Sequence, residues 1–242
     1  VKLMFANKAF NKKINMSGVN SINWSRIVIQ IVYYFFSYFK IARKNEKINY
    51  SVPTGNFGDI YAGYIAKKMG LPINKLIVAT NENDILQRVI NTGEYKPDKV
   101  TPSLSPSMDI QVSSNFERLL FYVLKENDQK VDLLMKNLKN KGFFKLETNE
   151  LKEIKKDFEA VKVSDEETLS IIKDVYEKNK FLIDPHTATA FGATNKVKGL
   201  NEVVALGTAH PYKFFETMKK ATGENIEPPV QIKKYLDKEK KF

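Results

Sequence analysis

Cysteine is missing from this 242-residue sequence. That absence excludes disulfides, thiolate metal sites and a cysteine nucleophile, and it suits a reducing, cytoplasmic setting. Histidine is scarce as well: His186 and His210 are the only two. Without cysteine or an HExxH spacing, a zinc centre lacks its usual ligands, and no metal is expected. No GxSxG elbow and no Ser-His-Asp order mark a hydrolase, so both histidines read as structural groups. No apolar stretch reaches the ~20 residues that a membrane-spanning helix needs. The longest, Ile27 to Phe39, is interrupted by Gln30 and Ser37 and reads as a helix buried on most faces. The first residues, VKLMFANKAFNKK, have neither the apolar core nor the cleavage site of a secretory signal, and no methionine opens them. Repeats and low-complexity tracts are absent too.

Lysine is abundant. Lys and Arg number 39 against 28 Asp and Glu, a net charge of +11. Such a balance directs attention to nucleic acid, but its distribution does not. Basic and acidic residues interleave, as in KEIKKDFEAVK and YLDKEKK, and no aromatic–basic stripe forms a single-strand surface. We read a solvated surface, with neither a nucleic acid nor a membrane as partner. The basic excess also suits anionic small molecules. Hydrophobic residues make up 43% of the chain, enough for one large domain or one and part of another.

A strand is predicted over 48–53, a glycine turn after it, a helix over 59–69 and a second buried strand over 75–80. Strand, turn, helix and strand within about 30 residues make a βαβ unit, hence an α/β fold with a parallel sheet. Residues 24–43 read as a helix. Residues 97–114, rich in Pro and Ser, read as a loop, and 115–180 as mostly helical. A further strand is predicted over 202–206, with Gly207 and Thr208 at its C-terminal end. Ligands of open α/β sheets bind outside the carboxyl ends of strands. TGNFGD, residues 54–59, and LGTAHP, residues 206–211, are therefore candidate walls of one site.

In TGNFGD the glycines would let the backbone adopt positive φ and approach a ligand closely, with amides at a helix start converging on a phosphate. A plain strand-to-helix turn explains the same residues. The motif is neither a P-loop nor a GxGxxG. In NSINWSR, residues 20–26, a helix cap accounts for one or two of the polar groups. Arg26 with its hydroxyl and amide neighbours would clamp a second phosphate or a carboxylate; an N-cap with a structural salt bridge is the competing reading.

Six segments in order, NSINWSRIVIQIVYYF, SVPTGNFGDIYAGYIAKKMGLP, IVATNENDIL, LSPSMDIQVSSNFERLLF, DPHTATAF and LGTAHPYKF, closely resemble threonine synthase of the longer bacterial and fungal type. The resemblance runs over nearly the whole chain. It implies the three-layer, parallel-sheet fold of the tryptophan synthase β-like superfamily with a helical insertion. Residues 1–15 would be the tail of a smaller domain, and 16–242 part of the larger, cofactor-binding domain. It implies pyridoxal 5'-phosphate as cofactor, held by Gly55, Asn56, Phe57, Gly58 and Asp59, with Thr208 at the pyridine nitrogen. It implies the substrate O-phosphohomoserine, its phosphate held by Ser21 and Arg26 with help from Asn56, and conversion with water to threonine and phosphate. A related phospho-lyase giving a 2-keto acid and a non-catalytic phosphate-binding module are the alternatives. The family's Schiff-base lysine sits in a motif similar to AFKD, which is not found here. Lys40, Lys145 and Lys213 follow aromatics outside that context. No catalytic residue is therefore assigned within this chain. The lysine is expected upstream, and the chain is expected to be an inactive C-terminal half.

Overall fold

The computed structural model describes residues 4, 7–14, 20–44 and 46–236. Its elements, in order, begin with α1 (Lys8–Ile14), α2 (Trp24–Ile41), β1 (Ile48–Pro53), α3 (Gly58–Lys68), β2 (Ile73–Thr80), α4 (Ile85–Thr92) and β3 (Glu94–Tyr95). They continue with α5 (Phe116–Val123), α6 (Asp128–Lys141), β4 (Phe144–Lys145), α7 (Thr148–Asp157), β5 (Phe158–Lys162) and α8 (Asp165–Asn179). The last are α9 (Pro185–Lys196), β6 (Val203–Ala205), α10 (Phe215–Thr222) and α11 (Val230–Leu236).

Four strands form one sheet in the order β5-β2-β1-β6, and every pair in it is parallel. The central strand β1 is buried along its whole length, as a parallel strand covered on both faces must be. Alternation sorts the strand residues between two layers. Tyr50, Val52, Leu76, Val78, Phe158 and Ala160 face the main core, which α2, α3 and α4 complete. Ile77 and Ala79 point the other way, onto Ala190 and Ala193 of α9. Small residues on α9 let it lie close to the sheet, where Ser51 Oγ donates to the Ala190 carbonyl at 2.7 Å. The result is the α/β, three-layer, parallel-sheet arrangement that the βαβ spacing and the resemblance implied.

Residues 115–180 are mostly helical as read, with strands among the helices, whereas the reading of α2 needs correction. The strand β5 was hidden inside a stretch read as mostly helical. Its five residues follow α7 directly, and only Phe158 and Ala160 are buried, so the charge spacing of the helix masks their alternation. Helix α2 is not buried on most faces. Ile27, Ile31, Tyr34 and Tyr38 form its buried stripe, whereas Val32, Phe36 and Phe39 are exposed at 59%, 63% and 75%. An unbroken apolar run does not reveal which stripe meets the core, because periodicity carries that information.

α2 packs tightly against α3 at Gly63. A Cβ there would lie 2.5 Å from Tyr34 Cε1, 2.7 Å from Cζ and 2.9 Å from Leu76 Cδ2. Tyr34 cannot retreat, since it is fully buried and its hydroxyl is bonded to Asp59. Gly192 on α9 looks similar, but its nearest atom is Ile171 Cδ1, the end of a flexible side chain, at 2.5 Å. We expect Gly63→Ala to lower unfolding stability by about 1–3 kcal/mol, the range for overpacking a filled core. Gly192→Ala should cost clearly less. Urea unfolding of both variants tests this; equal losses would show that Tyr34 yields as easily as Ile171.

Candidate functional site

β1 ends at Pro53 and the chain turns through Thr54, Gly55 and Asn56 into α3. The turn is held by a residue the sequence did not single out for this. Phe57, not a glycine, takes the left-handed conformation, with φ 64° and ψ 9°. Neither Gly55 nor Gly58 has positive φ. A phenylalanine rarely adopts that conformation. Here its ring is 1% exposed and packs edge-on to Phe116 at 5.4 Å and against Phe158 at 5.5 Å. The aromatic cluster therefore holds a backbone geometry that the residue alone would resist. Gly55 is needed for a different reason: a Cβ would meet the Ser107 carbonyl oxygen at 3.0 Å and Met108 Cα at 3.1 Å.

No side chain caps α3 at Phe57. The Tyr61 amide is bonded to the Phe57 carbonyl at 3.1 Å. The amides of Gly58, Asp59 and Ile60 come before it, at the positive end of the helix dipole. These residues line a cleft of about 700 Å³ whose walls also include Ser21, Arg26, Gly55, Asn56, Phe57 and Thr208. Every residue that the sequence singled out for a ligand role thus meets in one place. A second cleft, of about 720 Å³ and lined by Trp24, Glu117 and Arg118, contains none of them.

The walls are joined by hydrogen bonds. Asn115, fully buried, donates through Nδ2 to the carbonyl of Ser21 at 2.8 Å and to that of Asn56 at 2.9 Å. Its amide N–H also reaches the Asn56 carbonyl, at 3.0 Å. Ser113 Oγ donates to the Gly55 carbonyl at 2.9 Å. Opposite, His186 and the 3-10 turn Pro106–Met108 line the cleft. The Ser107 amide donates to His186 Nε2 at 3.2 Å, so the proton of this ring resides on Nδ1, 2.9 Å from Asp184 Oδ1. Burial pushes the Asp184 carboxyl up, but hydrogen bonds from His186 and Thr187 outweigh it and hold the group below its ordinary value. Thr208 is exposed, and its hydroxyl makes no hydrogen bond among the described residues.

Sequence reasoning missed Asn115, His186, Ser107 and Gln30 as parts of this region. SSNFER and DPHTATAF were noticed as strings. Nothing in their local chemistry reveals partners about 60 to 90 residues away.

A model of "Threonine synthase, C-terminal" matches residues 187–242. Threonine synthase of Pseudomonas aeruginosa is 45% identical over 244 residues, covering 100% of this chain and 52% of that protein. Threonine synthase of Saccharomyces cerevisiae is also 45% identical, covering 91% of this chain and 47% of that protein. The crystal structure of "PLP bound Threonine synthase" from Brucella melitensis superposes with a TM-score of 0.92 at 44% identity, over 96% of this chain and 50% of that one. Over nearly its whole length the chain matches the C-terminal part of threonine synthases. It spans about half the length of the curated threonine synthases it matches. Among the described residues no helix is long and apolar enough to cross a membrane.

Asp59 gives this cleft a titrating group. Burial raises its carboxyl to about 6, against the opposing pull of the Tyr34 hydroxyl and of the Arg26 charge. A raised acid favours the protonated form in the folded state. Its contribution to stability is therefore full below the unfolded value near 3.8 and is lost as pH rises through about 6. Asn at 59 keeps an acceptor for Tyr34 without the charge. We expect the stability of Asp59→Asn, relative to the unsubstituted protein, to rise between pH 4 and pH 7. Urea midpoints across that range test it, and a constant difference would remove Asp59 as the titrating group.

Proposed function

We propose that this chain provides the cofactor-phosphate cradle, the ring-nitrogen hydroxyl and the substrate-phosphate site of a threonine synthase. The reaction is that of a pyridoxal 5'-phosphate-dependent lyase, converting O-phosphohomoserine and water to threonine and phosphate in the cytoplasm. The observation that carries the reading is the single cleft in which an uncapped helix start, Arg26 and an unbonded Thr208 hydroxyl come together. The donor set fits the cofactor: backbone N–H groups suit a phosphate, and a neutral hydroxyl at a strand end suits a ring nitrogen.

In this reading the Gly58, Asp59 and Ile60 amides hold the cofactor phosphate with the Gly55 and Asn56 turn beneath it. Bound there, the cofactor supplies an electron sink for charge that develops on substrate carbons. Thr208 would face the ring nitrogen with a neutral hydroxyl in place of a carboxylate and so would not force its protonation. Ser21 and Arg26, with Asn56, take the substrate phosphate, which is also the leaving group. Among the described residues Arg26 forms no ion pair, and its charge, which also acts on Asp59, lies on the cleft wall where that dianion would sit. Stabilising the departing phosphate lowers the barrier to its release as well as binding it in the ground state. The lysine that links cofactor to protein is assigned outside these 242 residues.

Arg26→Ala, introduced in the intact protein, tests the division of labour. Losing a charge-assisted, two-pronged contact should cost about 2–3 kcal/mol of O-phosphohomoserine recognition, roughly 30- to 150-fold in kcat/KM. Affinity for pyridoxal 5'-phosphate, followed by fluorescence quenching, should change less than about threefold on the same reasoning. Equal losses for both ligands would make Arg26 a structural residue.

A further inference from the structure

Asp184 is the N-cap of α9, and its Oδ1 accepts the His186 amide at 2.9 Å. A cap needs no more than that, and serine or threonine supplies it without burying a charge. Yet this carboxylate has 0% side-chain exposure and no lysine or arginine bonded to it among the described residues. Two further side chains complete its shell, and each carries the contact onward. His186 Nδ1 donates to Oδ1, and His186 Nε2 accepts the Ser107 amide at 3.2 Å. Thr187 Oγ1 donates to Oδ2, which leaves its lone pairs to accept the Thr208 amide at 3.4 Å. One anion therefore reaches two chain segments distant in sequence, and both of them line the cleft. The Ser107 segment in turn lies at contact distance above Gly55.

We propose that Asp184 is a positioning residue that sets the separation between the Ser107 wall and the Thr208 strand end, acting through His186 on the first and through Thr187 on the second. The inference rests on the cofactor reading above in one respect, that Thr208 faces the cofactor ring. The hydrogen-bond relay itself does not depend on it. A buried charge is costly to keep, and a cap alone does not require one. Orienting two neutral donors against fixed lone pairs does require an acceptor with several of them. The ring of Phe214 against His186, with centroids 4.9 Å apart, closes the remaining side of the imidazole.

The test is amide hydrogen exchange in the intact protein, read residue by residue, alongside the absorbance of added pyridoxal 5'-phosphate. Thr187→Val keeps the shape and removes both bonds. It should raise exchange at Thr208 about tenfold, the size expected for one lost hydrogen bond, and leave Ser107 unchanged. Thr187→Ser should restore protection. Asp184→Asn should raise exchange at Thr208 and Ser107 together. With cofactor bound, Thr187→Val should shift the absorbance maximum and lower kcat more than it raises KM for O-phosphohomoserine, since the phosphate site is untouched. Increased exchange confined to the first turn of α9, with Thr208 and Ser107 unaltered, would reduce Asp184 to a helix cap and overturn the proposal. If the relay behaves as expected but the unsubstituted protein takes up no pyridoxal 5'-phosphate, the cofactor reading fails while the positioning role stands.

Discussion

The approach of Tyr34 to Gly63 is the contact on which both core and cleft depend. Because position 63 has no side chain, the Tyr34 ring can enter between α2, α3 and the sheet, where it also packs edge-on to Tyr50 at 5.1 Å. Its hydroxyl then reaches the first turn of α3, 3.0 Å from the Asp59 carbonyl and 3.2 Å from its carboxylate. One aromatic side chain thus fixes how α2 lies on α3 and what environment Asp59 experiences. Arg26 is on the same α2, so the distance from its guanidinium to the start of α3 is inherited from this packing. Close helix packing and local electrostatics are here the same constraint, met at two ends of one residue.

Around the cleft the structure relies on polar side chains that are buried and satisfied. Among the described residues no buried side-chain nitrogen or oxygen lacks a partner. The loop from 97 to 114 shows what this achieves. It contains no strand and only the short turn Pro106–Met108, yet Asp109 Oδ1 accepts from Asn81 at 2.8 Å, Asn83 at 3.0 Å and Ser103 at 2.5 Å. Leu104 N–H is bonded to Asp165 on α8. The Pro/Ser-rich sequence reads as a loop and is one, and these bonds make it a fixed wall.

What the sequence disclosed follows from the range of the interactions involved. β1, α3 and β2 were legible because a βαβ unit writes its pattern within about 30 consecutive residues. Residues 48–53 were read as a strand and are one. β6 was read as 202–206 and is 203–205, a difference at the level of a frayed end. β5 was not read, because its pairing with β2 is non-local and its five residues are joined to a charged helix without a break. The site followed the same division. Gly55, Gly58, Arg26 and Thr208 stand out locally as turn, cation and strand end. Asn115 and Asp184 do not, since an asparagine and an aspartate acquire their meaning from carbonyls and amides that only folding brings near. Even where the motif was recognised, its geometry was misjudged: the left-handed residue is Phe57, and a cluster of three aromatic rings replaces glycine's freedom.

The two walls of the cleft differ in how firmly they are tied. On the Ser107 side the chain is stitched to β2, α8 and α9 by asparagine, aspartate and histidine side chains. On the Thr208 side the support is slight: β6 is three residues long and only half-buried, and Gly207 and Thr208 are exposed. The Leu206 amide bonds to the Ser51 carbonyl of β1 at 2.9 Å, but beyond it the Thr208 amide, at 3.4 Å from Thr187 Oγ1, is the tie to α9 found among the described residues. Opening fluctuations concentrate where such ties are fewest. Opening of the cleft is therefore expected to be one-sided, with the strand end at Gly207 and Thr208 moving against a wall at Ser107 that stays still.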